Sequence, residues 1–447
     1  MNSRMNLLLL LLPLCFGIAS SAAIAPDTPS FTASELDDIE TTAVLLLKNW
    51  STHPSFDSPA ITTEGSAGSS VPLKKTAVPE AFAQSTMCLD GSPFYFYIRE
   101  GDPTKVALFL QGGGLCIERK DCEHRATTSQ GSSEDWEEEL YEENNILSQD
   151  PSNPLRNYTH VFMRYCSGDT WTGTNTLESG PGRFSLYFSG HNQVAAALSH
   201  LQTSLDFGSS PDSHFFLSGA SAGGIGTNNN CDFVASTLGP LVSVKCSPQA
   251  GLFFPSNTTA LWQSRMGISS LTTNQIASIY LSRMFAASLD VSCAAAASRN
   301  GDPQSYCWEG SYLTPHISTP TLVAQNFWDQ LQIDNILCLQ DNLDRAKCTK
   351  EFLSDFKAHT VGQLTSLSAS QPLGLFLPSC FTHTGNLCLF NNGGDEGPTV
   401  VGGTTYLDSV RAFVEEGELT SKVDECEGEG GDEEYVPCNQ VCDMHCG

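Results

Sequence analysis

The sequence predicts an α/β fold: a three-layer sandwich with a mainly parallel central sheet between helices, rich in disulfides. Three observations lead there. Short apolar runs at 106–110, 161–163, 215–217 and Thr321–Ala324 alternate with helix-like segments, the rhythm of buried parallel strands joined by crossovers. A length of 447 residues and an apolar fraction of 40% suffice for one large core. The chain holds 17 cysteines, and setting aside Cys15 in the N-terminal leader leaves an even number, as a disulfide framework requires. Spacing alone does not set their pairing.

Along the chain, four regions are expected. Residues 1–23 read as a signal peptide: Arg4 gives a positive start, an apolar run extends from Leu7 to Ile18, and small residues follow. The mature protein would be secreted, extracellular and without a membrane span, because no later apolar stretch reaches the roughly 18 residues a spanning helix needs. Residues 24–80 are rich in Ser, Thr and Pro and read as a mostly extended arm without chemistry, with one apolar helical run at 41–50. Residues 81–412 form the main α/β domain. Residues 413–447 form an acidic, Cys-rich tail ending in CNQVCDMHC, with Cys438, Cys442, His445 and Cys446. Thiolates and imidazole can bind zinc, but in a secreted chain a disulfide-stapled tail is the expectation, with no metal site. Asn49, Asn157 and Asn257 head glycosylation sequons.

Charge excludes some partners. Asp and Glu number 50 against 22 Lys and Arg, a net charge of −28 that repels nucleic acid and anionic lipid. Nothing calls for a dimer, and a monomer is expected.

The chemistry starts at FFLSGASAGG. The run 215–217 leads into Gly219, Ala220, Ser221, Ala222 and Gly223, a GxSxG pattern after a strand and before a helix-like segment. Such a sharp turn needs neighbours without bulk, so that the Ser221 hydroxyl stands clear as a nucleophile and the Ala222 N–H can receive oxyanion charge. A Gly-rich turn is the plain alternative. About a hundred residues upstream, the run 106–110 breaks into Gln111, Gly112, Gly113, Gly114 and Leu115, where bare amides of Gly113 and Gly114 could complete an oxyanion hole.

Serine needs a base held by an acid, and in this kind of fold the order is Ser, acid, His. Four histidines follow Ser221: His316, His359, His383 and His445. His383 suits the base, since it follows the apolar stretch Leu373–Leu377, whereas His316 and His359 read as surface residues and His445 lies in the tail. For the acid, Asp329 in QNFWDQLQIDN follows the strand Thr321–Ala324, and Asp334 competes with it. No cofactor is called for.

These residues resemble those of the pectin acetylesterase and Notum family of carboxylesterases. FLQGGGLC resembles its glycine-rich oxyanion segment, RYCSGDTWTG its Tyr-Cys motif, LSGASAGG its nucleophile elbow, VKCSPQAGLFF the segment after the elbow, NFWDQLQIDNIL its acid-bearing motif and PSCFTHT its histidine motif. The matches run in order from about 87 to 390. The resemblance implies an α/β-hydrolase domain with Ser221, Asp329 and His383 as triad. It implies hydrolysis of acyl esters through an acyl-enzyme, first of O-acetyl groups on pectin or a related polysaccharide. The alternatives are a Notum-like deacylase of a lipidated protein and an inactive secreted binding protein of the same fold. Gln111 stands where the family commonly has an acid, Leu115 near its aromatic, and Thr384 where plant members usually carry cysteine, which points to Cys388 for a rewired bridge. CSGDTW, with Asp169 and Trp171, looks nearer to Notum; NFWDQLQIDNIL looks nearer to the plant enzymes.

Overall fold

A computed structural model describes residues 31–47, 71–142, 145–177, 185–253, 273–333, 350–384 and 398–425. The leader, Asn49, Asn257, Asp334, Cys388 and the Cys-rich end of the tail, with its His445, lie outside them.

The centre is a ten-stranded sheet. Its strands in chain order are β1 (Leu73–Ala77), β2 (Tyr95–Arg99), β3 (Asp102–Leu110), β4 (Glu139–Leu140) and β5 (Tyr158–Met163), then β6 (Ser213–Ala220), β7 (Val242–Gln249), β8 (Thr321–Ala324), β9 (Leu373–Leu377) and β10 (Ser421–Val423). Across the sheet the order is β10-β9-β8-β7-β6-β3-β5-β2-β1-β4. From β10 to β5 all neighbours are parallel; β2, β1 and β4 add an antiparallel flank. The parallel strands are buried on both faces, which is why they read as continuous apolar runs: residues 106–110 of β3 and all of β8 and β9 are buried.

Six helices matter below: α1 (Ala33–Leu47), α2 (Arg119–Arg125), α3 (Gly190–Ser204), α4 (Ala222–Leu238), α5 (Thr273–Phe285) and α6 (Lys350–Ser368). Helix α4 packs on β6 and β7. Among the described residues, no helix is long and apolar enough to cross a membrane, and no group of three or more His, Cys, Asp or Glu could hold a metal ion.

The structure corrects both boundaries drawn from composition. The sheet begins inside the supposed arm, since β1 pairs with β2 and buries Leu73, and it ends inside the supposed tail, where β10 pairs with β9 and Phe413 joins the core. Two lysines and one large apolar residue in LKKTA, and a lysine in SKV, hid these strands. The arm is also less extended than expected. Helix α1 starts at Ala33, well before the apolar run, because the Thr32 hydroxyl accepts from the Glu35 N–H while the Glu35 carboxylate accepts from the Thr32 N–H. Ile39, Ala43 and Leu47, spaced four apart, then bury one helix face against α5.

Among the described residues, disulfides pair Cys88 with Cys166, Cys116 with Cys122, Cys231 with Cys246 and Cys293 with Cys307. The third ties α4 to β7.

One buried pair beside the core sets a pH dependence. The Arg99 guanidinium can only donate, so His160 accepts from it at Nδ1 and donates from Nε2 to the Leu155 carbonyl at 2.8 Å. Protonating His160 would remove that acceptor and set two cations together. Burial, and after it the Arg99 charge, push the His160 pKa down to about 4 from 6.5. This depressed group favours folding fully above pH 6.5, and the contribution is lost as pH falls through 4. We expect His160→Gln to remove on the order of 2 kcal/mol of the acid-induced loss of stability across that window. Urea titrations at its two ends check this, and parallel slopes for variant and wild type would refute it.

Candidate active site

The site lies where the parallel strands β3, β6, β8 and β9 end. Ser221 sits on the turn between β6 and α4, with φ 57° and ψ −121°, a conformation unfavourable for any residue with a side chain. The turn is held on both sides: the Ser221 N–H donates to the Gln249 carbonyl at 3.0 Å, and its carbonyl accepts from the Ile225 N–H at 3.0 Å. Gly223 explains the GxSxG spacing. A Cβ there would lie 1.9 Å from the Leu110 carbonyl oxygen, so α4 can reach the end of β3 only with glycine at this position.

Histidine and acid arrive on two loops zipped together. Trp328 bridges Phe381 in parallel fashion, the Phe327 N–H donates to the Pro378 carbonyl at 3.0 Å, and the Asn326 amide donates to the Thr382 and His383 carbonyls at 2.9 and 3.0 Å. This brings residues 54 apart in sequence into contact: His383 Nδ1 lies 2.9 Å from Asp329 Oδ2 and 3.1 Å from Oδ1. An ionised carboxylate only accepts, so Nδ1 carries the proton and Nε2 is left as acceptor for the Ser221 hydroxyl, 2.8 Å away. All three groups are buried, at 8%, 5% and 0% exposure for Ser221, His383 and Asp329, so bulk water does not compete for these bonds. Asp329 is fixed further by the Gln332 N–H at 3.2 Å and the Gln325 amide at 3.0 Å.

Opposite the serine, Gly113 and Gly114 take φ of 139° and 67°, which only glycine adopts freely. Gly112 abuts the elbow, since a Cβ on it would lie 3.1 Å from Ser221 Cβ. No acceptor among the described residues takes the N–H of Gly113, Gly114 or Ala222. Ala222 opens the 17-residue helix α4, whose N-terminal end carries partial positive charge.

Of the sequence candidates, the structure brings together Ser221, His383 and Asp329, with Gly113, Gly114 and Ala222 near by. His316 ends a short turn, and His359 on α6 pairs with Gln363 at 3.0 Å and is partly buried rather than a plain surface residue; neither meets Ser221. Asp169 is fully buried and serves the scaffold: it accepts from the Ser167 hydroxyl, the Trp171 N–H and the Gly190 N–H that opens α3. Burial pushes its pKa up, and these three donors act against that rise. Sequence reasoning missed Gln325, four residues before Asp329, although its place at the end of β8 could have marked it.

A mainly parallel α/β sheet with a strained serine at a strand-to-helix elbow, a histidine and a buried carboxylate in line defines the α/β-hydrolase class. The pectinacetylesterase family profile matches residues 66–443, most of the chain. The chain belongs to that family. It is 28% identical over 343 residues to pectin acetylesterase 11 of Arabidopsis thaliana, covering 73% of this chain and 83% of that protein. It is 27% identical over 309 residues to the palmitoleoyl-protein carboxylesterase NOTUM of Mus musculus, covering 67% and 58% of the two chains. The solved structure of the Wnt deacylase Notum from Drosophila shares the fold, with a TM-score of 0.66 at 22% identity over 84% of this chain and all of that one.

Proposed function

We propose that this protein is a secreted serine carboxylesterase that removes O-acetyl groups from pectin or a related polysaccharide. The observation that carries the reading is the unbroken line from Ser221 through His383 to Asp329. His383 Nε2 takes the hydroxyl proton as Ser221 Oγ attacks the ester carbonyl, and Asp329 stabilises the imidazolium that forms. The N–H groups of Gly113, Gly114 and Ala222 hold the tetrahedral oxyanion. His383 then returns the proton to the departing alcohol, leaving an acyl-serine. Water attacks it, gives its proton to His383, and frees the acid and the serine.

The acetyl group is favoured because the match to pectin acetylesterases 11 and 7 spans 73% of this chain, against 67% for the mouse NOTUM. A longer acyl group on a protein is the second reading, supported by the likeness to NOTUM. Labelling with a fluorophosphonate, with Ser221→Ala as control, tests the mechanism; a chain that takes no Ser221-dependent label would be a binding protein on a catalytic scaffold. Hydrolysis of p-nitrophenyl acetate and octanoate separates the substrates. We expect kcat/KM for acetate to exceed that for octanoate, and a strong preference for octanoate would move the assignment to the deacylase.

A further inference from the structure

Beside the Gly-rich segment stands a positive side chain that the triad does not use. Arg125, in the last turn of α2, is partly buried and has no carboxylate within ion-pair distance among the described residues. Its guanidinium donates to the Gly113 carbonyl through one terminal nitrogen, and Nε donates to the Gln130 carbonyl at 3.3 Å. Its carbon centre lies 5.3 Å from the centroid of the Tyr165 ring. The disulfide Cys116–Cys122 closes a six-residue loop between the Gly-rich segment and α2, one turn before Arg125. Room is made by Gly168 of the YCSGD motif: a Cβ there would lie 3.2 Å from Cys116 Sγ and 3.3 Å from Arg125 Cδ.

The peptide bond turns this contact into an orientation. In a planar trans peptide the carbonyl and the following N–H point in opposite directions, so whatever holds the Gly113 carbonyl also aims the Gly114 N–H. Glycine at both positions leaves that peptide free to rotate unless something grips it. Arg125 grips one side, and the amide on the other side lacks an acceptor among the described residues. Two residues earlier, the Gln111 carbonyl is held in the same manner by the Trp171 indole N–H at 3.0 Å.

We infer that Arg125 is a positioning residue for the oxyanion hole: it clamps the Gly113–Gly114 peptide so that the Gly114 N–H faces the developing oxyanion. This rests on the serine esterase reading and goes beyond it in assigning a side chain that never touches substrate. A planar fork spanning two carbonyls suits the task, and lysine, a point donor, reproduces it only in part.

The test compares wild type, Arg125→Met and Arg125→Lys as full chains, measuring kcat and KM for p-nitrophenyl acetate and inhibition by trifluoroacetone, which adds to the serine as a tetrahedral oxyanion. Loss of one well-aimed oxyanion donor costs about 10²-fold in kcat. Arg125→Met should approach that loss, with KM changed less than about threefold and inhibitor affinity falling in step with kcat/KM. Arg125→Lys should recover about tenfold of it. A folded Arg125→Met with kcat near wild type overturns the proposal, as does a fall in kcat with inhibitor affinity unchanged. Should Arg125→Met fail to fold, Arg125→Lys decides alone: undiminished kcat and inhibitor affinity there overturn the clamp. Absence of Ser221-dependent turnover in the wild type would instead sink the esterase reading on which the clamp rests.

Discussion

Asp329→Asn is expected to lower kcat by about 10⁴-fold, the scale for a triad carboxylate replaced by its amide. The carboxylate accepts from His383 Nδ1, the Gln325 amide and the Gln332 N–H. The amide of asparagine has one oxygen for these donors, and a nitrogen that donates in turn. If that nitrogen meets His383, the ring must take its proton at Nε2 and can no longer accept from the Ser221 hydroxyl. The shape of the site survives while its base is lost. Turnover of p-nitrophenyl acetate, with near-UV circular dichroism to show an intact fold, checks this. A loss below tenfold would mean that Asp329 does not set the tautomer.

Gly223→Ala should remove both fold and turnover. Its Cβ would lie 1.9 Å from the Leu110 oxygen and 3.0 Å from the Gln111 oxygen, both backbone atoms that a rotamer change cannot move aside. Helix α4 would have to part from the end of β3, separating Ser221 from the Gly-rich segment. We expect destabilisation of at least about 3 kcal/mol, the upper end for overpacking, and loss of ester hydrolysis in the same variant. Urea denaturation beside an activity assay reads both. Gly362→Ala, in the helix 350–368 with nothing within 4 Å of the added methyl, is the control and should be neutral or stabilising. A Gly223→Ala protein as stable as that control would refute the account of the elbow.

Much of this was legible in the chain because the chemistry has residue-type signatures. A parallel strand buried on both faces is an apolar run, so residues 106–110, Thr321–Ala324 and Leu373–Leu377 could be placed, and with them the loops carrying Gly113, Asp329 and His383. The strands at Leu73–Ala77 and Ser421–Val423 were hidden because lysine can stand on a flanking strand without harm. The start of the first helix is legible in Thr32 and Glu35 but stands outside the apolar run at 41–50. Arg125 and Gln325 were missed for another reason. Each acts on a group whose neighbourhood exists only after folding, a backbone carbonyl in one case and a carboxylate edge in the other. The zipping of Phe327 and Trp328 onto residues 378–381 likewise leaves no pattern in composition.

The Cys88–Cys166 bridge joins residues 78 apart, and the Gly-rich segment with Gly113 and Gly114 is threaded between its ends. Crosslinks of that span narrow the unfolded ensemble by about 4 kcal/mol in the chain-entropy picture. The exposed acidic stretch at Glu134, Asp135 and Glu137–Glu139 lies inside the loop. One cut there would leave both pieces covalently joined, so backbone scission at the surface need not release the half of the pocket opposite the serine.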